Sequence, residues 1–312
     1  MTATPTERSR RGVLRLGALG ALAAATVPLA ACSGGYDQEP DPLAPLLAAA
    51  DADATAARKL ASGAGGQLAT QVADARAAQA AALKTEVDRL NRPKKEATPA
   101  APPDELGGFK QRLATARTQA ENLVPGLPAY RAGLVAAVAA GCASLQRLGA
   151  ALGPGNDAKP VTAPSGTVPE DAVESLQKAL SSEHAALWVY GLVTAFLPGD
   201  FGEALKAGRA EHTARRDLVT QMITSAGATP VAPEAAYVPP KPVTDTASAA
   251  ALVASAEADS AAAWLGVITH TDDSGLRGMA VQALVAAARR GTPWRQEAGE
   301  SPAAVALPGQ SS

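Results

Sequence analysis

An all-α fold is predicted by three observations. Alanine is the commonest residue, while aromatic residues make up only 3% and β-branched ones are sparse, so local propensity favours helix along most of the chain. Apolar residues recur at three- and four-residue steps. Gly- and Pro-rich breaks divide the chain into stretches of helical length. The 28 basic side chains nearly balance the 30 acidic ones, which excludes a polybasic nucleic-acid binder and an acidic disordered chain.

The first segment is an address rather than a fold element. Ser9-Arg10-Arg11-Gly12-Val13-Leu14-Arg15 is a twin-arginine pattern, followed by an apolar run to Ala31. Leu29-Ala30-Ala31-Cys32 is a lipobox: the Cys32 thiol takes a diacylglyceryl group and cleavage leaves Cys32 as the first mature residue. Residues 1–31 are thus expected to be a Tat/lipoprotein signal peptide, with Arg10 and Arg11 as export signal and Cys32 as lipidation site. The expected location is extracytoplasmic, lipid-anchored to the cell membrane. Residues 32–41 form a polar tether. With Cys32 acylated, Cys142 is the remaining cysteine; in Ala-Gly-Cys-Ala-Ser surroundings it reads as a small buried hydrophobe.

Four helical stretches follow, near 42–62, 66–91, 104–123 and 128–152, with breaks at 63–66, 92–103 and 125–128. We expect an N-terminal helical domain over 42–152. Residues 153–168 (GPGNDAKPVTAPSGTV) have linker composition. Beyond them come four stretches near 169–197, 201–226, 245–270 and 273–290, separated by Pro198-Gly199, a long connection over 228–244, and a short turn. Thr167, Pro169, Glu170 and Asp171 are start signals for the first, and Asp245 is the expected cap of the third. Two short connections and one long crossover describe a ferritin-like four-helix bundle over 169–298. Residues 299–312 are expected to be a disordered tail. A weak internal match, Ala75–Gln79 with Gly208–His212, hints at a repeat, yet all His and Trp lie after residue 168, so any chemistry belongs to the second half.

Helical phase selects the inward polar residues of that half. Val173, Leu176, Leu180, Leu187, Tyr190 and Thr194 share a face, and Glu183 fills the missing place, with His184 at its edge beside Trp188. On the next helix the face set by Phe201, Leu205, Leu218, Val219, Met222 and Ile223 contains Gly208, Glu211, His212 and Arg215. On the third, Glu257 lies with Val253, Ser260, Trp264, Val267 and Ile268, while Asp259 points away. Glu183, His184, Glu211, His212, Arg215 and Glu257 are therefore the expected buried polar cluster. Buried carboxylates need compensation. Arg215 supplies it as a guanidinium; a metal is the alternative, with Glu183, Glu211, Glu257 and His212 or His184 as ligands. Carboxylate di-iron and di-manganese bundles use Glu-x-x-His, which is missing here, and Met279–Ala288 on the fourth helix offers no ligand. His270 is placed to cap the third helix, and Trp188, Trp264 and Trp294 read as packing. No phosphate loop, zinc spacing or nucleophile elbow is present.

At Glu183-His184-Ala185-Ala186, Tyr190-Gly191, His212, Arg215-Arg216-Asp217, Tyr237, Pro240, Pro242-Val243-Thr244-Asp245 and Trp294, the sequence resembles a family of actinobacterial ferritin-like lipoproteins with a domain of unknown function. The resemblance spans about residues 168–296 and implies a ferritin-like bundle without an established activity. The favoured expectation is a noncatalytic envelope scaffold or binding module without cofactor. The alternative is a redox or metal-handling protein that binds iron or manganese. Expected partners are the membrane, through the lipid, and an envelope protein, with no nucleic acid.

Overall fold

The computed structural model describes residues 39–92, 101–153 and 161–310. Its helices are α1 (Ala44–Leu60), α2 (Gly66–Leu90), α3 (Phe109–Leu123), α4 (Ala129–Leu145), α5 (Val173–Leu192), α6 (Gly202–Ser225), α7 (Thr246–Thr269) and α8 (Ser274–Glu297). Short 3-10 turns precede α3, α5 and α6, and no strand occurs among the described residues. The fold is all-helical, as composition and periodicity predict.

Helix ends follow local chemistry. Gly65 and Asn91 take positive φ (75° and 45°) on either side of α2. Asp245 caps α7 in a reciprocal box with Ser248, and Asp273 accepts from the Leu276 N–H at 2.7 Å to start α8. His270 Nδ1 lies 2.7 Å from the Gly266 carbonyl, the capping contact expected at the end of α7. The fourth helix of the second half runs on past residue 290 to Glu297, through Pro293. Proline lacks only its own N–H, and burial of Trp294 on the following turn keeps the helix going.

Consecutive helices pack as pairs: α1 on α2, α3 on α4, α5 on α6 and α7 on α8; α5 also packs on α7, and α4 on both α7 and α8. Helix α4 is almost wholly buried because its Ala, Val, Gly and Cys residues leave it no polar face. Consequently the two halves, read from the sequence as domains joined at 153–168, share one core. Leu83, Phe109 and Leu145 belong to the same apolar cluster as Trp264, Ile268 and Leu284, and the described residues form one compact unit. Helix α7 is long and apolar enough to cross a membrane by length and composition, but most of it is buried in this core.

The expected disordered tail is corrected. Residues 301–310 pack back as a strap: Ala303 N donates to Gln71 Oε1 at 3.1 Å, and Gln79 Nε2 donates to the Ala306 carbonyl at 2.9 Å. Ala303 and Ala304 are buried. The physical reason is a slot: a Cβ on Gly141 of α4 would stand 2.0 Å from the Ala306 oxygen, so the glycine admits the strap's backbone.

Candidate functional site

Four helices deliver polar side chains to one interior point. Glu183 comes from α5, His212 and Arg215 from α6, Glu257 from α7 and Arg290 from α8; the first four are essentially inaccessible to solvent. Glu183 Oε1 accepts from Arg215 Nε (2.9 Å), Trp264 Nε1 (2.7 Å) and Ser260 Oγ (3.3 Å), and its Oε2 from His212 Nδ1 (2.6 Å). Glu257 Oε1 accepts from Tyr190 OH (2.5 Å), His212 Nε2 (3.1 Å) and Arg290 Nε (2.8 Å), and its Oε2 from an Arg290 terminal nitrogen (3.1 Å). Each carboxylate thus receives four donors, about the full capacity of its lone pairs.

The imidazole of His212 bridges the two carboxylates, its Nδ1 2.6 Å from Glu183 Oε2 and its Nε2 3.1 Å from Glu257 Oε1. An Arg215 terminal nitrogen also lies 2.8 Å from His212 Nδ1, and Glu183 contacts both residues. The guanidinium groups of Arg215 and Arg290 set positive charge against Glu183, Glu257 and Glu211. Burial pushes the Glu183 carboxyl up, but the Arg215 charge and the bond from His212 outweigh it and hold it down at about 2. Glu257 is likewise held well below the ordinary range: burial opposes ionisation, and the charges of Arg290 and His212 override it. Burial, then the neighbouring Glu257 charge, raise the Tyr190 phenol well above its ordinary value, so it stays a donor. None of the cluster's buried side-chain polar atoms lacks a partner.

Glu183, His212, Arg215 and Glu257 come together as helical phase predicts, and Asp259 points outward. Two members of the expected cluster do not. Glu211 is 47% exposed and stands at the mouth, where it pairs with Arg290 and lies 3.7 Å from Arg215. It precedes His212 by about 100° around the helix, so His212 takes the inward direction and Glu211 the rim. His184 turns away for the same reason relative to Glu183; its Nε2 is 3.3 Å from the Val231 carbonyl in the crossover. Cys32, Arg10 and Arg11 lie outside the described residues.

Arg290 is the residue that sequence reasoning missed. The signal was available: Leu276, Ala280, Ala283, Ala287, Arg290 and Trp294 continue one face at three- and four-residue steps, past the expected end at residue 290. Trp264 packs as expected and also donates to Glu183. Tyr190 can approach because Gly208 faces it; a Cβ there would meet the ring at 2.3 Å. Among the described residues, no group of three or more His, Cys, Asp or Glu side chains is arranged to hold a metal ion.

Residues 175–312 match the family model described as a domain of unknown function, DUF4439. The C-terminal part of the chain is a DUF4439 domain. A crystal structure of a conserved hypothetical protein from Mycobacterium tuberculosis is 32% identical over 41% of this chain and 98% of that one, with a TM-score of 0.40. No curated protein matches the chain.

Within this DUF4439 domain lies the Glu-His-Arg interior, but the helices before it hold a second buried polar group. Asp53 on α1 pairs with Arg76 on α2 (2.9 Å) and with Arg112 on α3. Arg76 donates to Gln79 (2.6 Å) and to Cys142 Sγ on α4 (3.3 Å). Gln79 and His212, matched in the weak repeat, are both fully buried, whereas Arg209, matched to Arg76, is exposed. Cys142 is buried as expected, and burial raises its thiol above the ordinary value, which keeps it unreactive. Buried polar groups therefore occur in both halves, although the His and Trp residues lie in the second.

Proposed function

We propose that the chain is a Tat-exported cell-envelope lipoprotein, anchored to the extracytoplasmic face of the membrane through Cys32. Its C-terminal bundle, ferritin-like in its pairing of short connections with a long crossover, serves as a noncatalytic scaffold or binding module. The observation that carries the noncatalytic reading is the saturation of Glu183 and Glu257, each with four donors from the protein itself. A catalytic interior keeps a lone pair or a cleft for a reactant; this one spends both carboxylates on closure.

We read the donor set as a poor fit to iron or manganese. A metal ligated by Glu183, Glu257 and His212 needs oxygen lone pairs and a deprotonated ring nitrogen converging on one point. Here the ring nitrogens are turned onto the carboxylates themselves, and Arg215 and Arg290 supply the positive charge that a metal would bring. Glu211 points to the rim and His184 to the crossover.

Thermal melts of the purified chain with iron, manganese or a chelator test this reading. A ligand that binds the folded state raises its apparent stability, by about 2.7 kcal/mol at a hundredfold excess over Kd. The expected result is no change; a metal-dependent rise that disappears in Glu183→Ala and Glu257→Ala would overturn it.

A further inference from the structure

Outside the sealed interior, at its mouth, a groove of about 450 Å³ runs between α6 and α8 beside the end of α4. Its volume is that of a small-molecule site. One wall carries the half-buried ring of Phe201, which is backed by the buried Trp294: the two rings stack with centroids 5.5 Å apart and planes 24° from parallel. Pro293 also lines the groove.

The rim is basic. Arg147, Arg289 and Arg290 line the groove against Glu211 and Glu297. Arg290 is committed to Glu257 and Glu211, and in turn occupies the nearest carboxylate of the groove. Arg147 is exposed and makes no ion pair among the described residues. An exposed guanidinium beside a flat apolar wall is a two-part recognition surface: the fork takes a carboxylate or phosphate, and the ring face takes a planar apolar body.

We propose that this groove binds an aromatic acid, a planar ring system carrying one carboxylate or phosphate, with the acid on Arg147 and the ring against Phe201 and Pro293, which the buried Trp294 backs. Ala204 and Ala207 of α6 are exposed and line the groove with small side chains. The inference rests on the reading of the chain as a binding module and gives that module a ligand class. It is independent of the lipid anchor and of the buried carboxylates.

The test is isothermal titration calorimetry of the purified full chain with 2-naphthoate. Naphthalene-2-methanol, which has the ring without the charge, and acetate, which has the charge without the ring, serve as controls. Saturable binding at one site is expected, with each control at least tenfold weaker. Arg147→Glu should weaken 2-naphthoate at least tenfold, and Ala207→Trp, an exposed position on the rim, should abolish binding by filling the groove. Both variants should melt as the parent does. A stronger response to 2-naphthyl phosphate with the same dependences also supports the proposal and makes phosphate the acid group. Absence of saturable binding to either acid, or binding unchanged in both variants, overturns it; the metal-independent melts would then still stand for a scaffold without this ligand.

Discussion

Arg290 of α8 forks onto Glu257 of α7, its Nε 2.8 Å from Oε1 and a terminal nitrogen 3.1 Å from Oε2. Arg215 holds Glu183, and both guanidinium groups reach toward Glu211. Each carboxylate therefore has its own guanidinium, and His212 joins the two halves of the cluster.

Removing either guanidinium should leave a buried carboxylate without its main compensation. Arg290→Met and Arg215→Leu are each expected to destabilise the fold by roughly 3 to 5 kcal/mol, the range for breaking a buried ion pair from one side. Urea unfolding measures this. A double-mutant cycle of Arg290→Met with Glu257→Gln should be non-additive by about 0.5–3 kcal/mol, because the second change removes the charge that the first strands. Strictly additive losses would show that Arg290 acts by packing alone.

Acid should unfold the protein through the same groups. Glu183 titrates at about 2 in the folded state and Glu257 is also depressed, against about 4.3 for glutamate in an unfolded chain. The unfolded state thus binds protons first. The stability these groups contribute is complete above pH of about 4.3 and is lost as pH falls from there toward about 2. Urea midpoints measured from neutral pH downward should stay level and then drop in that window. Glu183→Gln should flatten the drop; an unchanged profile would remove Glu183 from the account.

Much of this arrangement was legible in the sequence. The apolar series around Glu183 on α5 and around Glu257 on α7 are regular, so their phase placed both carboxylates inward. Phase failed where two polar residues are adjacent: Glu211 and His212 fall within one broad face, and only packing against Tyr190 and Glu257 decides that His212 takes the interior. Arg290 was missed because it is the last residue of the expected helix over 273–290, outside the apolar Met279–Ala288 midsection that was read for ligands. The strap over 301–310 was hidden for another reason: its docking depends on Gly141 and Gln79, far away in sequence, and its own composition carries no periodic signal.

The export and anchoring signals give a separate expectation. On the proposed lipid anchor, Cys32→Ser should release the protein from the membrane fraction, since the acyl chains would hold it there and each buried methylene contributes about 0.8 kcal/mol. Replacing Arg10 and Arg11 by Lys should block export and leave the folded chain in the cytoplasm. Fractionation and immunoblotting separate the two results. Normal membrane fractionation of Cys32→Ser would sink the lipoprotein reading.

The strap can be tested by a pair of glycines that differ only in their surroundings. Gly141 and Gly278 both lie inside helices, α4 and α8, where alanine is favoured over glycine by about 0.8–1.0 kcal/mol. Propensity alone therefore predicts that both substitutions stabilise. At Gly278 a Cβ meets nothing within 4 Å, so Gly278→Ala should raise stability by roughly that amount. At Gly141 the same carbon would stand 2.0 Å from the Ala306 oxygen and 2.4 Å from Gln79 Nε2, so the strap or the helix must move. Overpacking of this kind costs about 1–3 kcal/mol, more than the propensity gain. Gly141→Ala should accordingly lower the melting temperature. It should also break the bond from Gln79 to Ala306 and raise hydrogen exchange and protease cleavage over 301–310. If Gly141→Ala instead stabilises as Gly278→Ala does, with the strap still protected, then the slot that holds the C-terminal segment is not set by that glycine.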